Sequence, residues 1–280
     1  MDDPLTPVQV TENSTPSLST EKPPRRKFSW GWAWDLLLVV ILLVGGYFRT
    51  IGINWDSNQH LHPDERFLTM VETSIQPVAS LADYFNTATS TLNPNNVGHG
   101  YFVYGTLPIF LVRYAAEALD QTGYDQVYLV GRAFSAFIDL LTVFLVFVIA
   151  LRLYRNTRLG LLAAAFSAFA VLQIQLSHFF TVDTFANFFT YLAFYFAVRV
   201  MTAATPGTPV SSPTETAEAD MPPARPSPWA WMQLSWRGWG NYILFGLALG
   251  MAVASKISAA PLALLLPLAA GTVPGHARGG

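Results

Sequence analysis

The sequence predicts an all-α, polytopic membrane protein of about six spans with a long loop after the first, and three observations carry that prediction. Charged residues make up 12% of the chain, against about 25% in soluble domains, while hydrophobic residues reach 52%. Several continuous apolar runs approach the roughly 20 residues a helix needs to cross a bilayer, whereas a membrane barrel would show short alternating segments. Arginines and lysines cluster beside the runs, at Arg25, Arg26 and Lys27 and again at Arg152, Arg155 and Arg158, and both clusters imply the same orientation under the positive-inside rule. A net charge of −2 gives no argument for nucleic acid as a partner, and the absence of cysteine excludes disulfides, thiolate metal sites and cysteine nucleophiles.

Residues 1–29 read as a disordered tail, rich in Pro, Ser and Thr and poor in large apolar groups. The basic patch at its end places the N-terminus in the cytoplasm of a multi-pass protein of the cell membrane. Late basic residues and the lack of a small-residue cleavage site argue against a removable signal peptide. Trp30, Trp32 and Trp34 suit the headgroup region, and the first span fills 30–51. An outer loop follows over 52–125. Its turn chemistry lies at Asn93-Pro94-Asn95-Asn96 and Gly98-His99-Gly100. Leu107 to Leu119, with Arg113 and Glu117 one turn apart, is too short and too charged to cross and reads as an interfacial helix.

Three spans are expected over 126–200: Val127 to Leu151, Leu159 to Leu176, and Phe185 to Val200. Residues 201–238 have a linker's composition. Within 239–273, the run from Asn241 to Val273 is too long for one crossing, because a helix of that length extends roughly 50 Å against a ~30 Å hydrocarbon core. Ser255-Lys256-Ile257-Ser258, with Pro261 behind it, is where it should divide into a hairpin. Residues 274–280 read as a truncated tail, so the chain is expected to be the front part of a larger protein.

Function is sought where charge survives in so apolar a chain. His62-Pro63-Asp64-Glu65-Arg66 lies just past the first span. One carboxylate can act as general base toward a hydroxyl. The Asp64 and Glu65 pair can instead hold a divalent cation such as Mg or Mn, or simply stay solvated as the acidic first turn of a helix that Pro63 begins. His60-x-His62 invites a zinc reading only if His99 or His178 joins it. His178, Asp183 and Lys256 come from other hairpin ends that the topology sets on the same side as Asp64. Ionisable groups at bilayer depth cost about 2.5–3.5 kcal/mol on insertion scales, so their convergence marks a candidate site.

Four stretches carry a family resemblance: His62-Pro63-Asp64-Glu65; Tyr104-Gly105-Thr106-Leu107-Pro108; Leu176-Ser177-His178-Phe179-Phe180-Thr181-Val182-Asp183; and Gly246-Leu247-Ala248-Leu249-Gly250 running on to Ser255-Lys256. Together they resemble the N-terminal part of a GT-C fold glycosyltransferase of the protein O-mannosyltransferase and aminoarabinose transferase type. One proline stands where that family tends to have two, and His178 stands where arginine is usual. The resemblance implies a GT-C-like fold and sugar transfer from a polyprenyl-phosphate carrier to an acceptor hydroxyl on the extracytoplasmic face, with inversion. It implies Asp64 as the catalytic base, Glu65 in support, and Lys256 and His178 near the lipid phosphate. His62, Arg66, Tyr104 and Asp183 complete the expected substrate site, and membrane lipids are the expected surroundings. A transporter and a non-catalytic membrane scaffold stay open as other classes, although no internal repeat supports the first.

Overall fold

The computed structural model describes residues 31–202 and 236–271, and every regular element among them is helical. The expected tail 1–29 with its basic patch and Trp30, most of the expected linker, and the tail 274–280 lie outside the described residues.

Helix α1 (Gly31–Thr50) is apolar on every side and turns Leu36, Leu37, Val40 and Leu43 outward, as a lipid-facing helix does. A loop leads to α2 (Pro63–Ser74), a short α3 (Leu81–Phe85) and a 3-10 turn (Pro94–Val97). Helix α4 (Leu107–Ala118) buries Pro108, Ile109, Val112 and Ala116, while Leu111 and Tyr114 stay exposed on its other face. The central mast is α5 (Tyr124–Tyr154), about 46 Å long. It packs against α1, α2, α4 and each of the three helices that follow it. The main core joins Leu68, Val71 and Ile75 of α2 to Ile109 and Val112 of α4, Val127 and Val130 of α5, and Phe180 and Phe185. Gly131 lets Phe180 in: a Cβ there would lie 2.3 Å from the Phe180 ring.

The expected span from Leu159 to Leu176 is broken. Helices α6 (Thr157–Ala168) and α7 (Val171–Ser177) meet at a 58° bend. Its cause is tertiary. The guanidinium of Arg49, at the end of α1, donates to the carbonyls of Ala168 (2.8 Å) and Ser167 (3.3 Å) and pairs with Asp139 of α5 (2.7 Å). A cation at a helix C-terminus satisfies carbonyls that would otherwise have no partner and complements the helix dipole.

Helix α8 (Val182–Met201) returns along α5, and α9 (Trp236–Ser255) packs against it through Ala193, Phe196, Ala197, Phe245 and Ala248. Helix α9 stops at Lys256, whose backbone is extended. A 3-10 segment (Ile257–Leu264) containing Pro261 follows, then α10 (Leu265–Gly271). Proline denies the helix a donor and clashes with the preceding turn, which accounts for the irregular piece. By length and hydropathy together, α1 and α5 qualify as spans, and α6 with α7 makes a third if counted as one. Helix α8 and the shorter apolar helices on either side of Lys256 accompany these candidate spans among the described residues.

Glu72 of α2 is wholly buried, and neither carboxylate oxygen has a hydrogen-bond partner among the described residues. Burial pushes its carboxyl well above the ordinary glutamate value of 4.5, and the Arg113 charge offsets only part of that. The folded protein therefore holds a proton here that the unfolded chain releases above about pH 4.5. Stability should fall as pH rises from there toward the folded-state pKa. Glu72→Gln should remove that slope from thermal unfolding curves recorded between pH 5 and 8, and an unchanged slope would show that other groups set it.

Candidate active site

His62 caps α2, its Nδ1 accepting from the Glu65 amide at 3.3 Å, and Pro63 occupies the first helical position. The acidic pair thus opens a helix, where the dipole favours negative charge. Neighbouring helical residues point about 100° apart, and this separates the two acids. Glu65 turns inward to Arg132 of α5 while Asp64 turns toward Tyr104.

Arg132 has no exposed surface, and all five of its donors are used. Its Nε and one Nη2 hydrogen go to Glu65 (2.8 and 2.6 Å), the remaining Nη2 hydrogen and one from Nη1 go to Asp56 (3.0 and 3.1 Å), and the last goes to the Ile53 carbonyl (2.7 Å). The rings of Tyr128 and Trp55 lie over it at 4.6 and 5.4 Å. Glu65 also accepts from the Phe180 amide at 2.8 Å. Burial raises the Asp56 carboxyl, but the hydrogen bond and charge of Arg132 outweigh burial, so the net direction is down. Glu65, expected beside Asp64 in the site, is buried and bound to Arg132 and the Phe180 amide. Its oxygens are occupied, and no acceptor can reach it.

Asp64 is half-buried and accepts from Tyr104 Oη at 3.0 Å on Oδ1, leaving Oδ2 without a partner among the described residues. Burial, then the Asp64 bond, then the charges of Asp64 and Asp183 push the Tyr104 hydroxyl above its usual 10.0, so it remains a donor at neutral pH. Gly105 comes against the end of α9, its amide donating to the Ser255 carbonyl at 3.1 Å. A Cβ at residue 105 would lie 2.1 Å from the Ala254 carbonyl oxygen, so only glycine permits this approach. The next residue along α9's exit, Lys256, forms an ion pair with Asp183 in the first turn of α8. Asp64, Tyr104, Asp183 and Lys256 thus come together from four separate parts of the chain.

Asp183 and Lys256 stand on the wall of a cavity of about 760 Å³. Its polar wall includes Thr184, Asn187 and Thr190 along α8; Leu172, Leu176, Leu262 and Leu265 make much of the rest. Asp64 and Tyr104 lie outside that wall. The arrangement can receive a phosphate at the lysine, apolar chain along the leucines, and a hydroxyl at Asp64 Oδ2.

Other expected site residues fall elsewhere. His178 clasps two helix ends, its Nδ1 2.8 Å from the Ile174 carbonyl and its Nε2 3.0 Å from that of Ile51. A neutral imidazole donates from one nitrogen at a time, so at least one of these contacts is a hydrogen bond, and His178 lies between the ends of α1 and α7. Arg66 lies about 200° round α2 from Asp64 and donates to the His60 carbonyl at 3.0 Å, while His62 stacks on Phe179. The zinc reading also fails, because His60 bonds to Asp125, His62 caps α2, His99 faces Ser74 and His178 holds its clasp. A cation shared by Asp64 and Glu65 does not fit either, since Arg132 already occupies Glu65. Among the described residues no three His, Asp or Glu side chains form a metal-holding group. Arg49, Asp56, Arg132 and Asp139 escaped the sequence reading. The signal was present for Arg132 and Asp139, two charges seven residues apart inside an apolar span.

The described residues thus form an all-helical bundle with two helices, or three if the bent pair counts as one, long and apolar enough to cross a membrane, and with acid, phenol and lysine brought together near its cavity. Residues 111–213 match the family model described as dolichyl-phosphate-mannose-protein mannosyltransferase, which bears out the resemblance seen in the sequence. The match runs from within α4 past the end of α8 and so contains Arg132, His178 and Asp183 but not Asp64, Tyr104 or Lys256. It supports membrane glycosyl transfer of the mannosyltransferase type from a polyprenyl-phosphate sugar. No curated protein and no solved structure matches the chain.

Proposed function

We propose that the chain carries the acceptor base and the donor-phosphate contact of an inverting transferase working on the extracytoplasmic face, with its N-terminus in the cytoplasm. The supporting observation is that Asp64–Tyr104 and Asp183–Lys256 are joined through the Gly105–Ser255 backbone contact, with Asp183 and Lys256 on the wall of the cavity. Asp64 Oδ2 takes the proton of an acceptor hydroxyl as its oxygen attacks the anomeric carbon of the sugar. The bond from that carbon to the phosphate oxygen breaks, and the polyprenyl phosphate leaves with the electron pair beside Lys256. Tyr104 holds Oδ1, which fixes the direction of the free lone pairs. The Lys256–Asp183 pair is nearly half exposed on both sides, so it is worth about 0–1 kcal/mol, and a phosphate competes for the ammonium at little cost.

The test is to reconstitute the protein in liposomes with radiolabelled polyprenyl-phosphate mannose and hydroxyl-bearing acceptor peptides. Label should move to the acceptor as polyprenyl phosphate is released. Lys256→Met should raise KM for the lipid donor about tenfold, the scale of one lost charge-assisted hydrogen bond, with less effect on the acceptor KM. A donor that is neither bound nor consumed would overturn the proposal.

A further inference from the structure

Helices α5 and α8 finish side by side at the end of the bundle remote from Asp64, with a second hollow of about 280 Å³ between their last turns. Val148 and Leu151 make its apolar part; Arg152, Arg155, Tyr195 and Thr202 supply the polar groups. Arg152 Nε donates to Thr202 Oγ1 at 2.8 Å, which fixes the guanidinium in place and leaves its two terminal nitrogens without a partner among the described residues. Arg155 ends α5 with a left-handed backbone, and its guanidinium likewise makes no hydrogen bond or ion pair there. In the last turn of α8, Arg199 packs by the Tyr195 ring with its Nε buried and without a hydrogen-bond partner among the described residues. None of the six ion pairs among the described residues involves these arginines.

Arginines at a membrane boundary are often merely solvated markers of topology. Here two of them share a concave site with two hydroxyls above an apolar floor, which is the layout of a lipid headgroup over its chains. Arg152 lies 20 residues beyond Arg132 along α5, about 30 Å, so the hollow sits one hydrocarbon thickness from the Asp64 rim. We propose that it binds the phosphate of an anionic membrane lipid, held by the forks of Arg152 and Arg155, with the acyl chain lying against Val148 and Leu151. A planar guanidinium suits that role because it offers paired donors to phosphate oxygens. The inference does not depend on the transfer chemistry at the other end.

The experiment places the intact protein in nanodiscs of phosphatidylcholine containing phosphatidylglycerol and identifies the lipid retained by native mass spectrometry. Phosphatidylglycerol should be enriched on the order of tenfold, as expected for two arginines near an anionic surface. Arg152→Gln with Arg155→Gln should abolish the enrichment. Equal retention of the two lipids, or enrichment that survives in the double variant, would overturn the proposal. A second measurement needs no variant: short-chain phosphatidylglycerol should raise the Tm of the unaltered protein, and glycerol phosphate at the same concentration should not. Equal shifts from the two would assign the site to free phosphate and overturn the lipid reading.

Discussion

Arg132→Met is expected to cost about 3–5 kcal/mol of folding stability, the range for removing one partner from a buried charge cluster. The cost arises mainly from what remains. Glu65 and Asp56 have no exposed side-chain surface in their pairs with Arg132, and both would keep a charge with no cation beside it. The Phe180 amide would be the main hydrogen-bond donor left to Glu65, and the Leu61 amide to Asp56. The pH response should separate this from simple packing loss. Asp56 has a lowered carboxyl in the intact protein, so its share of stability is present above the usual value of 3.8 and is lost as pH falls through the folded value. Without Arg132 the largest contributions that lower it are gone, so this acid-linked loss should shrink in the variant. Thermal unfolding at pH 7 and below pH 3.8 reads both effects. A variant that melts with the parent at pH 7 would show that the cluster is not an anchor. Adding Glu65→Gln and Asp56→Asn should recover much of the loss, because neutral amides are cheaper to bury unpaired.

Asp64→Asn is expected to cut transfer by about 10²–10⁴-fold, the contribution of a positioned general base. The substitution is conservative at its known contact, since the amide oxygen still accepts from Tyr104 Oη and the residue is only half-buried. Donor affinity and Tm should therefore stay near the parent values while single-turnover transfer collapses. Tyr104→Phe frees Oδ1 without removing the base and should cost about tenfold or less, the worth of one hydrogen bond. Glu65→Gln should show the opposite pattern to Asp64→Asn, losing stability before chemistry. Parent-like turnover by the Asp64→Asn protein would remove Asp64 from the mechanism and leave the acceptor without a base.

The contrast between Asp64 and Glu65 shows how far the sequence is legible. Composition and run length identify the helices, and the charged residues at hairpin ends point to the rim where Asp183 and Lys256 meet. Adjacency along the chain does not reveal that two neighbouring carboxylates face different ways, because the helix turns between them. The bend between α6 and α7 is similarly hidden. Phe169 and Ala170 at the break are neither proline nor glycine, and the cause is Arg49 arriving from α1 more than a hundred residues earlier. The motif around His178 likewise does not reveal that its ring lies between two helix ends that only the folded chain brings together. Local chemistry is readable in such a chain; long-range partnership is not.

The contact of Gly105 with the exit of α9 has a mechanical consequence. No side chain cushions it, so the backbone carrying Tyr104 is pinned to the backbone carrying Lys256. Displacing the backbone at Lys256 would displace the backbone at Tyr104 with it, so under the proposed function a donor that moves the lysine would also move the phenol that holds Asp64.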